Sequence, residues 1–192
     1  REFRFRTDER QQLRLDRAAI KVGVEIEHVG FQQRRRQLAD RRLLERIDDA
    51  LATSGLDPTL VRVELTEDAL VDDSPQTVGF LDGLRQRGLG ISVDDFGTGY
   101  SSLAYLKRLP IDALKLDQSF VAGLGEDGDD MVIAAAVIVM AQALGLRVVA
   151  EGVETQPQLE VLRAMGCDLV QGYLYSPALP PDELRAWVAE HG

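Results

Sequence analysis

The feature that most constrains the fold is a repeated alternation of helix-like and strand-like segments from about residue 38 onward. The helix-like segments carry apolar residues three and four positions apart, as Leu43, Ile47 and Leu51 do in the first. Helices are predicted over 37–54, 74–87, 130–144, 156–165 and 181–190. Between them lie short apolar runs of the length typical of strands buried on both faces, at 60–65, 89–93, 113–116, 146–150 and 169–170. The alternation predicts consecutive βα units around a parallel sheet.

Polar residues gather at one place in these units, at the end of each predicted strand. The groups are Glu64 to Glu67, Asp94 with Asp95, Lys115 to Asp117, Glu151 to Glu154, and Gln171. The carboxyl ends of parallel strands are where open sheets and (β/α) barrels build their active sites. A single carboxylate there could be a helix cap, but five such groups predict a functional site.

Length and charge narrow the class of protein. The 192 residues suit one sizeable domain, and no apolar run is long enough for a membrane span. The net charge of −10 divides into +5 over residues 1–46 and −15 over residues 47–192. An acidic body argues against nucleic-acid binding and is compatible with a carboxylate metal site, although composition alone favours a solvated acidic surface. A lone Cys167 fits a cytoplasmic location, and the first residue, Arg1, indicates either an excised piece of a longer chain or a processed product.

The densest chemical signal is DDFGTGYSS at 94–102. Neighbouring side chains of a strand point to opposite faces, so Asp94 and Asp95 could reach one site only at the end of the strand. There each could ligate a hard cation, and two cations about 3.5–4 Å apart are typical of phosphodiester chemistry. Gly97 and Gly99 would let the loop turn tightly. A helix-capping turn would explain one aspartate but not two.

Other strand ends carry further candidates. Lys115 lies in an apolar strand, where a lysine is rarely buried without a carboxylate partner, although it could also extend to solvent from an edge strand. Glu151 could be a ligand or a proton acceptor. Glu154, near a helix start, could equally complement the helix dipole. Gln171 could bind a ligand or cap a helix.

Several other chemistries lack the residues they need. His28 and His191 are the only histidines, which leaves little material for a catalytic triad or a zinc site. There is no Walker A sequence and no glycine-rich dinucleotide motif.

Four motifs in order resemble the EAL-domain cyclic-di-GMP phosphodiesterases of bacteria. They are DDFGTGYSSL at 94–103, LPIDALKLD at 109–117, VAEGVET at 149–155 and GCDLVQGY at 166–173. With VELTE at 63–67, the resemblance extends over about residues 36–190. It implies an α/β fold of the TIM-like (β/α) barrel type. It also implies an enzyme that hydrolyses cyclic-di-GMP to linear pGpG with Mg²⁺ or Mn²⁺, two ions per site.

The resemblance also implies roles for individual residues. The metal ligands would be Glu64, Asp94, Asp95 and Glu151, with Lys115 holding the attacking water, so that Lys115 and Glu151 carry the catalysis. Glu67 would steady the loop that contains Gly97 and Gly99. Substrate would be bound by Gln171, Glu154 and Asp117.

The N-terminal part departs from the family pattern. The Glu-Ala-Leu motif is absent as such; the similar run VEIE at 24–27 places Glu25 in the position of its glutamate. Gln32 replaces a metal-binding asparagine, and only six residues separate it from Glu25. We therefore expect a divergent segment at 1–37, with a remnant strand at 19–29, and an EAL-like domain at 38–192 whose barrel is incomplete or altered at the N-terminus.

Two functions follow as hypotheses. The first is an active cyclic-di-GMP phosphodiesterase, and the alternative is a degenerate EAL domain that signals by binding cyclic-di-GMP or a protein. The expected partners are cyclic-di-GMP, a second copy of the chain, and a cyclase or sensor domain in a longer parent chain. Neither nucleic acid nor a membrane is expected to bind this segment.

Overall fold

The computed structural model of the chain describes residues 3–4, 42–70, 74–97, 103–125 and 128–191. Its internal contacts divide it into two compact units, one formed by Arg1–Ala19 with Lys115–Gly192 and the other by Ile20–Leu114. The strand expected at 19–29, with Glu25 and Gln32, lies outside the described residues, as does Gly99. The division of the chain at residue 37 therefore stays a prediction.

Strands and helices alternate along most of the described chain. In order they are β1 (Phe3–Arg4), α1 (Arg42–Ser54), a 3₁₀ helix (Pro58–Leu60), β2 (Arg62–Thr66), a second 3₁₀ helix (Glu67–Leu70), α2 (Pro75–Gln86), β3 (Gly90–Phe96), α3 (Leu103–Leu106), β4 (Ala113–Leu116), α4 (Gln118–Ala122), α5 (Asp129–Ala143), β5 (Arg147–Ala150), α6 (Gln156–Ala164), β6 (Leu169–Val170) and α7 (Pro181–His191).

The predicted order of helices and strands is confirmed wherever the structure describes it. The main difference concerns β3, which runs on to Phe96 instead of ending at Val93, so both aspartates belong to its last three residues. The strand β1 and the helices α3 and α4 were not predicted. They span two to five residues, too few to show a hydrophobic period.

The unit Ile20–Leu114 is built on the parallel pair β2 and β3, with β4 as the next neighbour of β3. Val63 and Leu65 of β2 are in register with Ile91 and Val93 of β3, and all four are buried. Because side chains alternate along a strand, these four residues share one face of the pair. The opposite face carries the polar residues considered below.

The unit that contains Lys115–Gly192 has the strand order β1, β6, β5, with β4 beside β5. The pair β5 and β6 is parallel, as predicted, whereas β1 pairs with β6 in the antiparallel direction. Val148, Ile138 and Leu162, from β5, α5 and α6, are fully buried and form part of this unit's core.

Helix starts follow the capping chemistry of the sequence. The Ser74 side chain accepts a hydrogen bond from the Thr77 amide, and Pro75 takes the first helical position of α2. Thr155 and Gln158 form a reciprocal capping box at the start of α6.

Each unit contains an aspartate whose carboxylate accepts a hydrogen bond from a backbone amide of a neighbouring strand. Asp112, just before β4, accepts a hydrogen bond from the Ile91 amide of β3 at 2.8 Å. Asp168, just before β6, accepts one from the Val148 amide of β5 at 2.9 Å. Each carboxylate therefore ties the second residue of one strand to the chain that enters the neighbouring strand.

Among the described residues, no helix combines the length and the apolar character needed to cross a lipid bilayer.

Candidate active site at the strand ends

The polar face of β2 and β3 brings two predicted site residues onto one surface. Glu64 is in register with Ser92, and Thr66 with Asp94. Glu64 and Asp94 therefore lie on the same face of neighbouring strands, two rows of residues apart along the pair. Both are partly accessible, unlike the buried residues on the other face. The strand pairing thus places both carboxylates on one face, within the last three residues of their strands.

Asp95 has an unusual backbone that changes the direction of its side chain. Its φ is +53°, which makes it the one non-glycine residue with a positive φ in the described chain. Such a conformation is uncommon outside glycine, although aspartate and asparagine adopt it more readily than most residues. It interrupts the alternation of faces at the end of β3. As a result, carboxylate oxygens of Asp94 and Asp95 lie within 4.8 Å of one another.

Glu67 connects the end of β2 to the chain that follows β3. It lies in the second 3₁₀ helix, is only 3% exposed, and accepts a hydrogen bond from the Gly97 amide at 3.1 Å. Gly97 has a φ of +102°, a conformation that favours glycine. A buried glutamate is therefore attached to the backbone two residues after Asp95. The rest of the predicted loop, residues 98–102, lies outside the described residues.

In the other unit, Lys115, Glu151 and Gln171 meet. Lys115 is 2% exposed in β4, and its Nζ lies 2.6 Å from Oε1 of Glu151, directly after β5. The Gln171 side-chain amide donates to the same oxygen. The expectation that a buried Lys115 would have a carboxylate partner is confirmed. The two donors hold this carboxylate in one orientation.

The loops that carry Glu151 and Gln171 are tied together through their backbones. Gln171 donates to the Ala150 carbonyl at 2.9 Å, and the Val153 amide donates to the Gln171 carbonyl at 3.1 Å. Gly172 allows this approach, because a Cβ atom there would lie 2.2 Å from the Val153 carbonyl oxygen. The positions of both side chains therefore depend on a glycine.

Two predicted substrate-binding residues have local structural contacts. Asp117 is the N-cap of α4 and accepts a hydrogen bond from the Ser119 amide at 2.9 Å. The Glu154 amide donates to the Gln158 side chain at 2.9 Å, whereas the Glu154 side chain is exposed. These contacts explain the local structure and leave the predicted roles untested.

Two polar residues on the face of β2 and β3 that carries Glu64 and Asp94 were not predicted from the sequence. Ser92 is fully buried beside Glu64, and Arg62 precedes Glu64 on the same face. A signal was present for Ser92, since it is a polar residue inside an apolar run, as Lys115 is.

The donor set of the described residues fits a hard divalent cation. Carboxylate oxygens are the ligands that Mg²⁺, Mn²⁺ and Ca²⁺ prefer, and Asp94 and Asp95 supply them from one strand end. Parallel strands with carboxylates at their carboxyl ends define a class, that of α/β domains with an acidic strand-end site. Within that class, the EAL domain pattern matches residues 9–178. The chain belongs to the EAL domain family.

Named relatives agree with this assignment. Over 138 residues, or 72% of the chain, it is 54% identical to the cyclic di-GMP phosphodiesterase NbdA of Pseudomonas aeruginosa, of which it covers 18%. It is 42% identical over 153 residues, 80% of the chain, to the bifunctional diguanylate cyclase/cyclic di-GMP phosphodiesterase MucR of the same species, of which it covers 22%. The chain thus spans about a fifth of the length of these curated relatives.

Solved structures give the same family. The cyclic-di-GMP complex of the phosphodiesterase PaMucR aligns with a TM-score of 0.75 and 38% identity, over 85% of this chain and 63% of that one. The EAL domain of Mycobacterium smegmatis DcpA aligns with a TM-score of 0.77 and 38% identity, over 89% and 72%. A manganese and cyclic-di-GMP complex of Klebsiella pneumoniae BlrP1 aligns with a TM-score of 0.65 and 36% identity, over 72% and 35%. These neighbours confirm the α/β, EAL-type fold class.

Proposed function

We propose that this domain hydrolyses cyclic-di-GMP to linear pGpG and that it works in the cytoplasm. The observation that carries the proposal is the pair of carboxylates at the end of β3, brought together by the left-handed backbone of Asp95. Support comes from relatives named as cyclic di-GMP phosphodiesterases and from structural neighbours solved with cyclic-di-GMP.

The ligands proposed for two divalent cations, Mg²⁺ or Mn²⁺, are Glu64, Asp94, Asp95 and Glu151. When bound, such ions offset negative charge on the attacking and leaving oxygens of a phosphodiester. The chain's own contribution is to hold the carboxylates in place. The β2–β3 register fixes Glu64 relative to Asp94, and the Asp95 backbone turns the second aspartate toward the first.

Lys115 is proposed to orient the attacking water and to help bind the phosphate. Its ammonium group is buried beside Glu151, so its charge acts in surroundings that water screens weakly. Glu151 in turn is held by Lys115 and by Gln171, which reduces its freedom to rotate. Glu154, Gln171 and Asp117 are proposed to contact the nucleotide.

Glu67 is proposed to control the loop after β3. Its hydrogen bond to the Gly97 amide attaches the first residue after the strand to a buried carboxylate. Loss of that bond would let Gly97 move, and Asp95 two residues earlier would lose support.

The alternative proposal is a domain that binds cyclic-di-GMP, or a protein, without hydrolysing the nucleotide. Gln32 and Glu25 favour it, because they stand where the family has an asparagine and the Glu-Ala-Leu motif. A glutamine amide can ligate Mg²⁺, but its extra methylene displaces the oxygen and near-ideal octahedral geometry tolerates that poorly. A second copy of the chain and an attached cyclase or sensor domain stay predictions.

Hydrolysis is tested by incubating the purified domain with cyclic-di-GMP and Mn²⁺ and by measuring pGpG by chromatography. Asp95→Asn should abolish the product, since asparagine tolerates the same backbone but carries no charge. Asp82→Asn, which changes an exposed aspartate on α2, is the matched control and should retain activity. If well-folded protein binds cyclic-di-GMP without forming pGpG, the alternative holds.

A further inference from the structure

Two buried polar atoms on the β2–β3 pair have no hydrogen-bond partner among the described residues. They are Nη1 of Arg62 and Oγ of Ser92. Ser92 is 0% exposed, so bulk water does not reach its hydroxyl. In folded proteins most buried polar atoms bind either protein or an ordered water, and the exceptions call for an explanation. Two such atoms on one face of the strand pair call for a polar partner that accounts for both.

Both atoms flank Glu64. Ser92 is in register with Glu64 on the neighbouring strand, and Arg62 is two residues before Glu64 on the same strand, so all three share one face. Arg62 also extends across the pair, because its guanidinium carbon would lie 3.6 Å from a Cβ atom placed on Gly90. Gly90 and Ser92 are successive residues on this face of β3. Because Gly90 has no side chain, the guanidinium group has room there, next to the paired residues Ser92 and Glu64.

We propose that Ser92 Oγ, Arg62 Nη1 and the Glu64 carboxylate hold one buried water between them, and that Ser92 and Arg62 thereby act as positioning residues for Glu64. Arg62 donates to the water, the water donates to Glu64, and the Ser92 hydroxyl completes its coordination. Three polar partners are typical of a buried water. This inference depends on the proposed function, in which Glu64 is a cation ligand.

The consequence for the site is a carboxylate with a fixed orientation. A carboxylate that hydrogen bonds already hold in one orientation loses less rotational freedom when a cation binds. Removing residues that support metal ligands in this way usually changes the metal affinity roughly 10–100-fold. Ser92 lies beside Glu64 and Arg62 precedes it, so both are farther from the carboxyl end of the strands than Asp94 and Asp95. These positions suit a supporting role.

The test is Mn²⁺ binding measured by calorimetry on the whole domain, with no nucleotide present. Ser92→Ala and Arg62→Met should each weaken binding roughly tenfold. The double variant should bind about as weakly as either single variant, because both side chains act through the same water. Ile91→Val changes a buried residue on the opposite face of β3 and should leave the affinity unchanged.

The other possible outcomes separate failure of the positioning role from failure of the proposed function. If the unsubstituted domain binds Mn²⁺ and both single variants bind equally tightly, the positioning role is wrong while the proposed function stands. Equal affinity together with a higher melting temperature for Ser92→Ala would identify a hydroxyl that is simply unpartnered. If the unsubstituted domain binds no Mn²⁺, the proposed function fails with the inference. Additive losses in the double variant would rule out a shared water.

Discussion

Lys115 and Glu151 form a buried ion pair in which Nζ lies 2.6 Å from Oε1. The partners differ in their access to solvent, because the lysine side chain is 3% exposed and the glutamate side chain 16%. Glu151 also has a second donor, Gln171, on the same oxygen. The lysine charge is therefore the more deeply buried of the two.

That asymmetry predicts unequal effects of breaking the pair. Glu151→Gln should destabilise the fold by about 3–5 kcal/mol, because it removes the charged carboxylate that lies 2.6 Å from a buried ammonium group. Lys115→Met should cost less, since Glu151 keeps Gln171 and some contact with water. Urea denaturation in the presence of a chelator measures both values without any contribution from cations.

The double variant Lys115→Met with Glu151→Gln is the control. It should recover much of the stability lost in Glu151→Gln, since replacing a whole buried pair is often close to neutral. If Lys115→Met proved the more damaging single change, the deeper burial of Lys115 would not determine which partner is costlier to leave unpaired.

Much of this arrangement could be predicted from the sequence. Short apolar runs ending in Glu151 or in Asp94 and Asp95 placed these residues at strand ends, because strand length and helix period leave their own patterns. The helices predicted over 74–87 and 156–165 begin beside Ser74 and Thr155, whose side chains accept hydrogen bonds from the first amides.

Other features could not be predicted because they depend on tertiary contacts. The positive φ of Asp95 depends on how the chain leaves β3, and no pattern of residue types indicates it. The environment of Ser92 depends on the β2–β3 register, which pairs it with Glu64. The N-cap role of Asp117 could not be predicted, because α4 is too short to show a period, and the substrate-binding role that the resemblance implies for it stays a prediction.

Asp168 should contribute to stability through one hydrogen bond. Its carboxylate accepts from the Val148 amide, and Val148 is fully buried. Asp168→Ala leaves that amide without an acceptor and should cost about 1–3 kcal/mol of unfolding free energy. Asp168→Asn keeps an oxygen in place and should cost less, as urea denaturation of the two variants would show. Equal losses would mean that the charge, and not the acceptor, matters.

Gly172→Ala should strain the loops that carry Gln171 and Glu151. A Cβ atom at position 172 would lie 2.2 Å from the Val153 oxygen and 2.3 Å from its nitrogen. Both are backbone atoms, so no side-chain rotation relieves the clash, and the cost should be about 1–3 kcal/mol. Gly79→Ala is the control, since nothing lies within 4 Å of a Cβ there and the residue is inside α2. That change should stabilise the domain by roughly 0.5–1 kcal/mol. Thermal unfolding that shows no loss for Gly172→Ala would contradict the close approach.

Cys167 should be unreactive in the folded protein. Burial is the main cause that raises its thiol pKa to about 12, partly opposed by backbone hydrogen bonds to the sulfur. The thiolate is the reactive form, so a disulfide reagent at pH 8 should label Cys167 only after unfolding in urea. Rapid labelling of the native protein would show that the thiol is accessible.

The same pKa difference predicts how stability changes in alkali. The folded pKa of about 12 lies above the value of about 8.5 for an unfolded cysteine. Between these values the folded state retains a proton that the unfolded state releases, so the contribution of Cys167 to stability is complete below about pH 8.5 and declines as the pH rises toward 12. Cys167→Ala removes this titration and should therefore show a shallower fall in unfolding free energy between about pH 9 and pH 11. Urea denaturation of both proteins across that range measures the difference, and parallel curves would mean that the thiol titrates alike in the folded and unfolded chains.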